Sequence, residues 1–251
     1  MISQKMKNCS CWILVPIIIT VLAAAGFWTT YVLAYRNKKI CSLDLLERKQ
    51  KCNLRPPFLS IAGDTPPESC IFSQVMNMTA FLVTAVAVLR YSQLKAKVMK
   101  PWLNIFGLIS FSLSSFGMTI VANFQLSNER IIHNVGAVTA IGFGTAAFWI
   151  QAVLTFQGNI NNQGRKLGIL RVILSVVITL GFIAYFLLLA QHSYLHGARV
   201  QWTLITCLLL YEVTFAVDFW HYDFEVHGRE KQTNSMETVA SVTSECYSEH
   251  V

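Results

Sequence analysis

Hydrophobic and polar positions alternate along this chain in long blocks, at neither the spacing of two that marks a half-buried strand nor the spacing of an amphipathic surface helix. Apolar stretches recur at about 11–35, 70–89, 102–122, 135–156, 169–190 and 202–220, and polar segments rich in charge or turn-forming residues separate them. An α-helix rises ~1.5 Å per residue, so about 20 apolar residues cross the ~30 Å hydrocarbon core of a bilayer. The blocks therefore predict an all-α polytopic membrane protein with a six-helix transmembrane bundle. No fixed-period repeat relates the blocks to one another.

The junction at 58–77 sets the entry to the second span. Gly63-Asp64 followed by Pro66-Pro67 predicts a turn, because Gly permits unusual backbone angles and each Pro fixes φ and pushes its predecessor toward extended conformation. Glu68 then falls in a first helical turn, where an acid complements the dipole, and Ser69 or Thr65 is placed to cap free N–H groups. At the N-terminus, Ala23-Ala24-Ala25 resembles a signal-peptidase site, but the apolar run continues through Phe27, Trp28 and Val32. That continuation predicts a retained signal anchor.

Composition agrees with the blocks: hydrophobic residues make up 54%, charged residues 13%, and the mean hydropathy is +0.48. A net charge of +7 raises the question of nucleic acid. The basic residues, however, sit in short groups between apolar runs with no stacking-aromatic or Gly-rich RNA motif, and no nucleic-acid partner is expected. Arg90, Lys95, Lys97 and Lys100 lie between the second and third blocks, and Arg165, Lys166 and Arg171 between or just inside the fourth and fifth. The alternate connections carry only Arg130 and Arg199, so the positive-inside rule predicts a cytosolic N-terminus at 1–10, an exofacial loop at 36–69 and a cytosolic tail at 221–251. The 36–69 loop, basic in part, runs against that rule. The Ser-, Thr- and Glu-rich tail is expected to be disordered. Trp102, Trp202 and Trp220 stand near block ends, where an indole rests at the headgroups with its N–H wet.

Cysteine and polar positions add candidates. Cys41 and Cys52 in the long loop are candidate disulfide partners, with Cys70 the odd cysteine, and sequence alone does not assign the pairing. Cys9 and Cys11 are candidate palmitoylation sites. Asn77-Met-Thr79 has the glycosylation pattern but lies inside a span, out of reach of the transferase. Ser73, Asn77, Ala80 and Thr84 share one helical face, which predicts Asn77 as an interhelical hydrogen-bonding group. Asn123 and Gln125 are expected to cap the third helix and tie its loop to His133, itself an ordinary hydrogen-bonded histidine or a pH sensor. Gln151, Glu212 and Asp218 are further intramembrane polar positions. Glu212 is placed mid-span with no Lys or Arg at similar depth, which marks it as a functional candidate, whereas Asp218 is near enough to the boundary to snorkel.

Enzymatic motifs are missing from the sequence. His192 and His196 lack the Glu of a zinc-protease helix, and there is no Walker sequence, nucleophile elbow or dinucleotide fingerprint. No catalytic residue, metal or cofactor is expected, and the chain is read as a non-enzymatic membrane protein. Selectivity-filter sequences and charge rings are also missing, which weighs against a single-chain pore but not against a homo-oligomeric one. The terminal Glu249-His250-Val251 is a weak candidate for a strand-augmentation groove.

Ser60, Gly63, Pro66, Pro67, Glu68, Ser69, Phe72 and Asn77, then Asn123-Phe124-Gln125 and His133, resemble the motif of the DRAM (damage-regulated autophagy modulator) superfamily of six-span proteins. The resemblance runs to about residue 221. Ser73-Gln-Val-Met-Asn77, Gly142-Phe-Gly144, Ala198-Arg-Val-Gln-Trp202 and Thr214-Phe-Ala-Val-Asp218-Phe are most similar to its tentonin branch. That branch implies a component or modulator of a mechanically activated cation conductance at the plasma membrane, alongside other channel subunits. The wider superfamily implies the alternative, a regulator of autophagy at lysosomal or endosomal membranes or of phosphatidylinositol 4-kinase complex assembly. In every reading the lipid bilayer is a partner.

Overall fold

The computed structural model describes residues 10–44, 53–159, 164–220 and 222–224, and among them regular structure is helical. A single 3₁₀ turn, Cys11–Ile13, opens directly into α1 (Leu14–Arg36). Then come a one-turn helix α2 (Leu59–Ala62), α3 (Glu68–Leu94), α4 (Pro101–Asn123), α5 (Arg130–Gly158), α6 (Gly164–Ala190), α7 (Tyr194–Val213) and a short α8 (Phe215–Phe219) that continues α7. Six of these segments, with Tyr194–Phe219 taken as one, are long and apolar enough to cross a membrane. The helices overrun the apolar blocks: α3 extends past residue 89 to Leu94, and α6 begins five residues before 169, at Gly164. An apolar window finds where lipid is met, and the hydrogen-bonded helix continues until a turn residue or a cap stops it.

The spans form a closed ring. Each packs on the span before it and the span after it, and α7 returns to α1. Small residues bring neighbouring backbones together, as expected where lipid supplies no hydrophobic drive for helix association. At Gly117 on α4, an added Cβ would stand 2.5 Å from Ala140 N and 2.7 Å from Gly136 O of α5, and Ser114 Oγ donates to Ala140 O at 2.8 Å one turn away. Between α1 and α3, a Cβ on Gly26 would stand 2.3 Å from a Val75 methyl. Inside the ring, Phe111, Phe148, Tyr211, Phe215 and Phe219 form one apolar core with Ile19 and Val86. A second core, around Phe27, Phe72, Met76 and Trp202, lies toward the 36–69 loop. The outer surface carries residues such as Ile173, Val177, Leu180, Ile183 and Leu187 of α6, all exposed and apolar as a lipid-facing surface requires.

Two ends can be distinguished. At the terminal end, Ser10 N donates to Trp220 O at 3.3 Å, closing the first span on the last. At the loop end, Ile40 pairs with Arg55 in an isolated bridge, and Cys41 N donates to Arg55 O at 2.9 Å. Cys41 is disulfide-bonded. Cys52, its expected partner, lies outside the described residues, as do Cys9, 1–9, residue 221 and 225–251, including the terminal tripeptide. Cys11 and Cys70 are exposed free thiols.

Several local expectations change. Gly63 has φ −92°, an ordinary value, so conformational freedom is not what it provides. Its role is space: a Cβ there would fall 2.5 Å from the Phe72 ring. No side chain caps α3, which begins behind Pro67 with Ser69 N donating to Thr65 O at 3.1 Å. Pro16 falls in the first turn of α1, where its missing N–H is not needed. Trp202 is buried, and its indole N–H donates to Pro57 O at 2.9 Å instead of to headgroup water. Trp102 and Trp220 are about half exposed, at 54% and 47%.

Candidate functional site: an ionic lock, a loop-end rim and a pocket between them

At the terminal end, four spans converge on a buried ionic lock. Asp218 of α8 receives Arg90 Nη1 of α3 at 2.9 Å and Arg171 Nη2 of α6 at 2.5 Å, and all three side chains are at most 3% exposed. A charge taken out of water is costly unless it is paired and its remaining donors are satisfied. Here they are. Arg90 also donates to Gln93 Oε1 at 2.6 Å, Gln151 Oε1 at 3.2 Å and Thr155 Oγ1 at 3.3 Å. Arg171 donates to Thr155 Oγ1 at 2.5 Å and Thr214 Oγ1 at 3.0 Å, and its guanidinium lies 4.5 Å from the Phe215 ring centroid. Gln93 Nε2 closes the network on Asp218 O at 2.7 Å. Tyr211 O–H, stacked on Phe148, donates to Phe148 O at 2.7 Å. The result joins α3, α5, α6 and α7–α8 through one set of polar groups in an otherwise apolar ring.

Several expectations are corrected by this geometry. Arg90 is not a connection charge, because α3 continues beyond its apolar block and buries it within the ring, and Arg171, just inside its own block, is fully buried as well. Asp218 does not snorkel; it is the shared anion of the lock. Glu212, placed mid-span from the sequence, is closer to the terminal end because its span starts at Tyr194. It also has a basic residue at comparable depth, since Arg171 lies within electrostatic range. Glu212 is 6% exposed, and its Oε2 has no hydrogen-bond partner among the described residues.

At the loop end the motif residues build a rim. Glu68, fully buried, receives Lys39 Nζ at 2.5 Å on one oxygen and Asn37 Nδ2 at 2.7 Å on the other, and the same Lys39 donates to Thr65 Oγ1 and Pro66 O. Asp64 receives Arg55 Nη1 at 2.6 Å and Ser127 N at 2.9 Å, which ties the α2–α3 turn to the α4–α5 connection. The Pro66–Pro67 bond within this turn is cis. Gln201 Oε1 of α7 accepts from Leu59 N at 2.9 Å, and Arg199 Nε donates to Leu43 O at 2.9 Å. One helical face of α3 meets the end of α4: Ser73 donates to Ala122 O, and Asn77 and Asn123 exchange two hydrogen bonds at 3.1 and 3.2 Å. His133, buried at the start of α5, places Nδ1 2.7 Å from Phe124 O, so the loop is tied by a backbone carbonyl and not by the Asn123 or Gln125 side chains. Gln125 accepts from Asn128 Nδ2 at 3.3 Å within its own turn.

Between lock and rim, a pocket of about 230 Å³ is lined by every span, with Gln201 and Leu59 on the rim side and Phe148 and Glu212 on the lock side. Most of its wall is apolar.

This ring, carrying its polar groups at both ends, occupies the region covered by one family description: the Frag1/DRAM/Sfk1/Cwh43P N-terminal domain matches residues 11–222. The chain belongs to the Frag1/DRAM/Sfk1 family. Its relatives include modulator of macroautophagy TMEM150B of Xenopus tropicalis, 35% identical, and TMEM150B-B of Xenopus laevis, 33% identical, each over 92% of this chain and 97% of the relative. Transmembrane protein 150A of Homo sapiens is 30% identical over 83% of each chain. No solved structure matches. In this Frag1/DRAM/Sfk1 protein the structure gathers Gly63, Pro66, Glu68, Ser69, Phe72, Asn77, Asn123, Phe124 and His133 into the rim, with Ser60 half-buried on α2. Gln151 and Asp218 belong to the lock, far along the chain from the rim motif. Sequence reasoning missed Arg90, Arg171, Gln93, Thr155 and Thr214 as partners. The available signal was an arginine at the edge of an apolar block, Arg90 just past residue 89 and Arg171 just inside residue 169.

Proposed function

We propose that this multi-pass membrane protein is a non-catalytic regulator of autophagy, acting through what its membrane domain docks against rather than by turning over a substrate. The observation that carries this reading is the near end-to-end match to proteins named modulators of macroautophagy, with 92% of this chain aligned to 97% of theirs. The geometry supports a regulator, because its buried arginines and Asp218 close on one another, an arrangement that specifies one packing and leaves those groups no reacting atom to act on. The test is deletion in cells followed by re-expression, reading autophagic flux as lysosome-dependent turnover of long-lived protein. Flux should shift on deletion and return with the parent chain; unchanged flux removes the reading. A tagged protein at lysosomal or endosomal membranes accords with it.

A second reading is a component or modulator of a mechanically activated cation conductance at the plasma membrane. Parts of the stretches that suggested it fall on interior positions: Thr214 and Asp218 hold Arg171, Trp202 holds the loop at Pro57, and Gly144 faces the pocket. Purified protein in a bilayer under tension decides between its forms. Current identifies a pore, silence with restored cellular currents identifies an accessory, and silence in both discards the reading. Surface residence with altered phosphatidylinositol 4-kinase recruitment would support the remaining alternative.

A further inference from the structure

Every polar side chain lining the central pocket should have a partner, since an unpaired buried hydrogen-bonding atom costs about 1–3 kcal/mol. Three do. Thr79 Oγ1 donates to Val75 O at 2.7 Å, Ser114 Oγ to Ala140 O at 2.8 Å, and Gln201 Oε1 accepts from Leu59 N. Two do not: Thr145 Oγ1 and Glu212 Oε2 are buried without partners among the described residues, and both residues line the pocket. The nearby arginine does not resolve Glu212: Arg171 directs Nε, Nη1 and Nη2 to Thr214, Thr155 and Asp218, and no hydrogen bond reaches Glu212 Oε2. The rest of the wall is apolar, from Phe27, Met76, Met118, Ile141 and Phe182 among others. At about 230 Å³ the pocket is larger than the ~150 Å³ apolar void that admits benzene.

We propose that this pocket binds a single-chain amphiphile whose head is a hydrogen-bond donor, an ammonium or a hydroxyl, with the head on Glu212 and the alkyl chain along the apolar wall toward Gln201. The pairing follows from the chemistry. A carboxyl oxygen without a donor is answered by a donor, and an apolar wall by a hydrocarbon tail. A carboxylate head is disfavoured, since it would bring a further acceptor to an oxygen that lacks a donor. The proposal does not depend on the autophagy reading, and its test reads binding alone.

The probes are decylamine, decanol and decanoate, added to the purified full chain in lipid nanodiscs and read by native mass spectrometry and thermal shift. Decylamine or decanol should bind and raise the melting temperature while decanoate does neither. Glu212→Gln, which keeps shape but not charge, should weaken decylamine at least tenfold and leave decanol within threefold. Glu212→Leu should abolish both. Preference for decylamine assigns an amine ligand and preference for decanol an alcohol. Ala137→Leu, which fills the pocket at a second place, should block whichever binds, with the thermal unfolding of the variant alone confirming that it is folded. Binding of all three probes alike to the parent chain, or binding unchanged in both Glu212 variants, overturns the proposal.

Discussion

Asp218 illustrates how much one residue can carry in this molecule. It is the single anion between two buried guanidinium groups, so Asp218→Asn keeps the shape but leaves Arg90 and Arg171 repelling each other with no countercharge. Breaking a buried pair by removing one partner costs about 3–5 kcal/mol. Thermal unfolding of purified protein in detergent should therefore show a large loss for Asp218→Asn, and a loss no larger than a surface substitution would disprove the lock. The rim pair is weaker. Asn77→Leu removes one side of the exchanged amide bonds with Asn123, and intramembrane hydrogen bonds of this kind are worth ~1 kcal/mol. Topology should survive while stability falls by about that much. In a double-mutant cycle with Asn123→Leu, the two changes should cost together little more than one alone; full additivity would mean that the pair is not coupled.

At the scale of the element, α4 and α5 owe their close approach to glycine at specific positions. Gly117→Val puts atoms where the α5 backbone already stands, and backbone cannot yield as a side-chain tip can, so the two helices must separate. The expected cost is at least the ~1–3 kcal/mol of ordinary overpacking. Gly142 on the same α5 has nothing within 4 Å of an added Cβ. Gly142→Ala should be neutral or stabilising by up to about 1 kcal/mol, through helix propensity alone. Measured side by side in the same detergent, the two glycines should move the unfolding temperature in opposite directions, or Gly142 not at all. Equal losses would show that α4–α5 packing is not governed by the approach at Gly117.

For the whole molecule, orientation in the membrane is the open prediction. Moving Arg90 and Arg171 into the interior removes them from the charges that orient the chain. Lys95, Lys97, Lys100, Arg165 and Lys166 remain at the terminal end. At the other end, Lys39 and Arg55 are neutralised by Glu68 and Asp64, which reduces the basic excess of the 36–69 loop. On that balance the terminal end faces the cytosol. Tags at either terminus should be protected from membrane-impermeant reagents on intact cells while an epitope inserted at 45–50 is accessible, if the protein resides at the surface; for an internal membrane the same assay runs on isolated vesicles. A reactive N-terminal tag in intact cells or sealed right-side-in vesicles would reverse the assignment.

The sequence by itself determined the class of fold. Six apolar blocks of spanning length leave a bilayer little choice, because hydrocarbon cannot satisfy a free backbone N–H and only a helix satisfies its own. It also disclosed the rim, whose residues are concentrated at 60–77 and 123–133, and the face of α3 that presents Asn77 to α4, since helical spacing places residues three and four apart on one side. The lock was decided only by tertiary structure. Its members lie at 90–93, 151–155, 171 and 214–218, and nothing local to any of them says that three charges separated by whole spans will meet. Ring closure of α7 on α1 is what brings Asp218 within reach of both arginines, and α3 had to extend past its apolar block to deliver Arg90, whereas Arg171 and Asp218 lie within theirs. Gly63 shows the same division at one residue: the chain announces a glycine in a turn, but only the Phe72 ring packed over it shows that the missing Cβ, and not the backbone angle, is what the position requires.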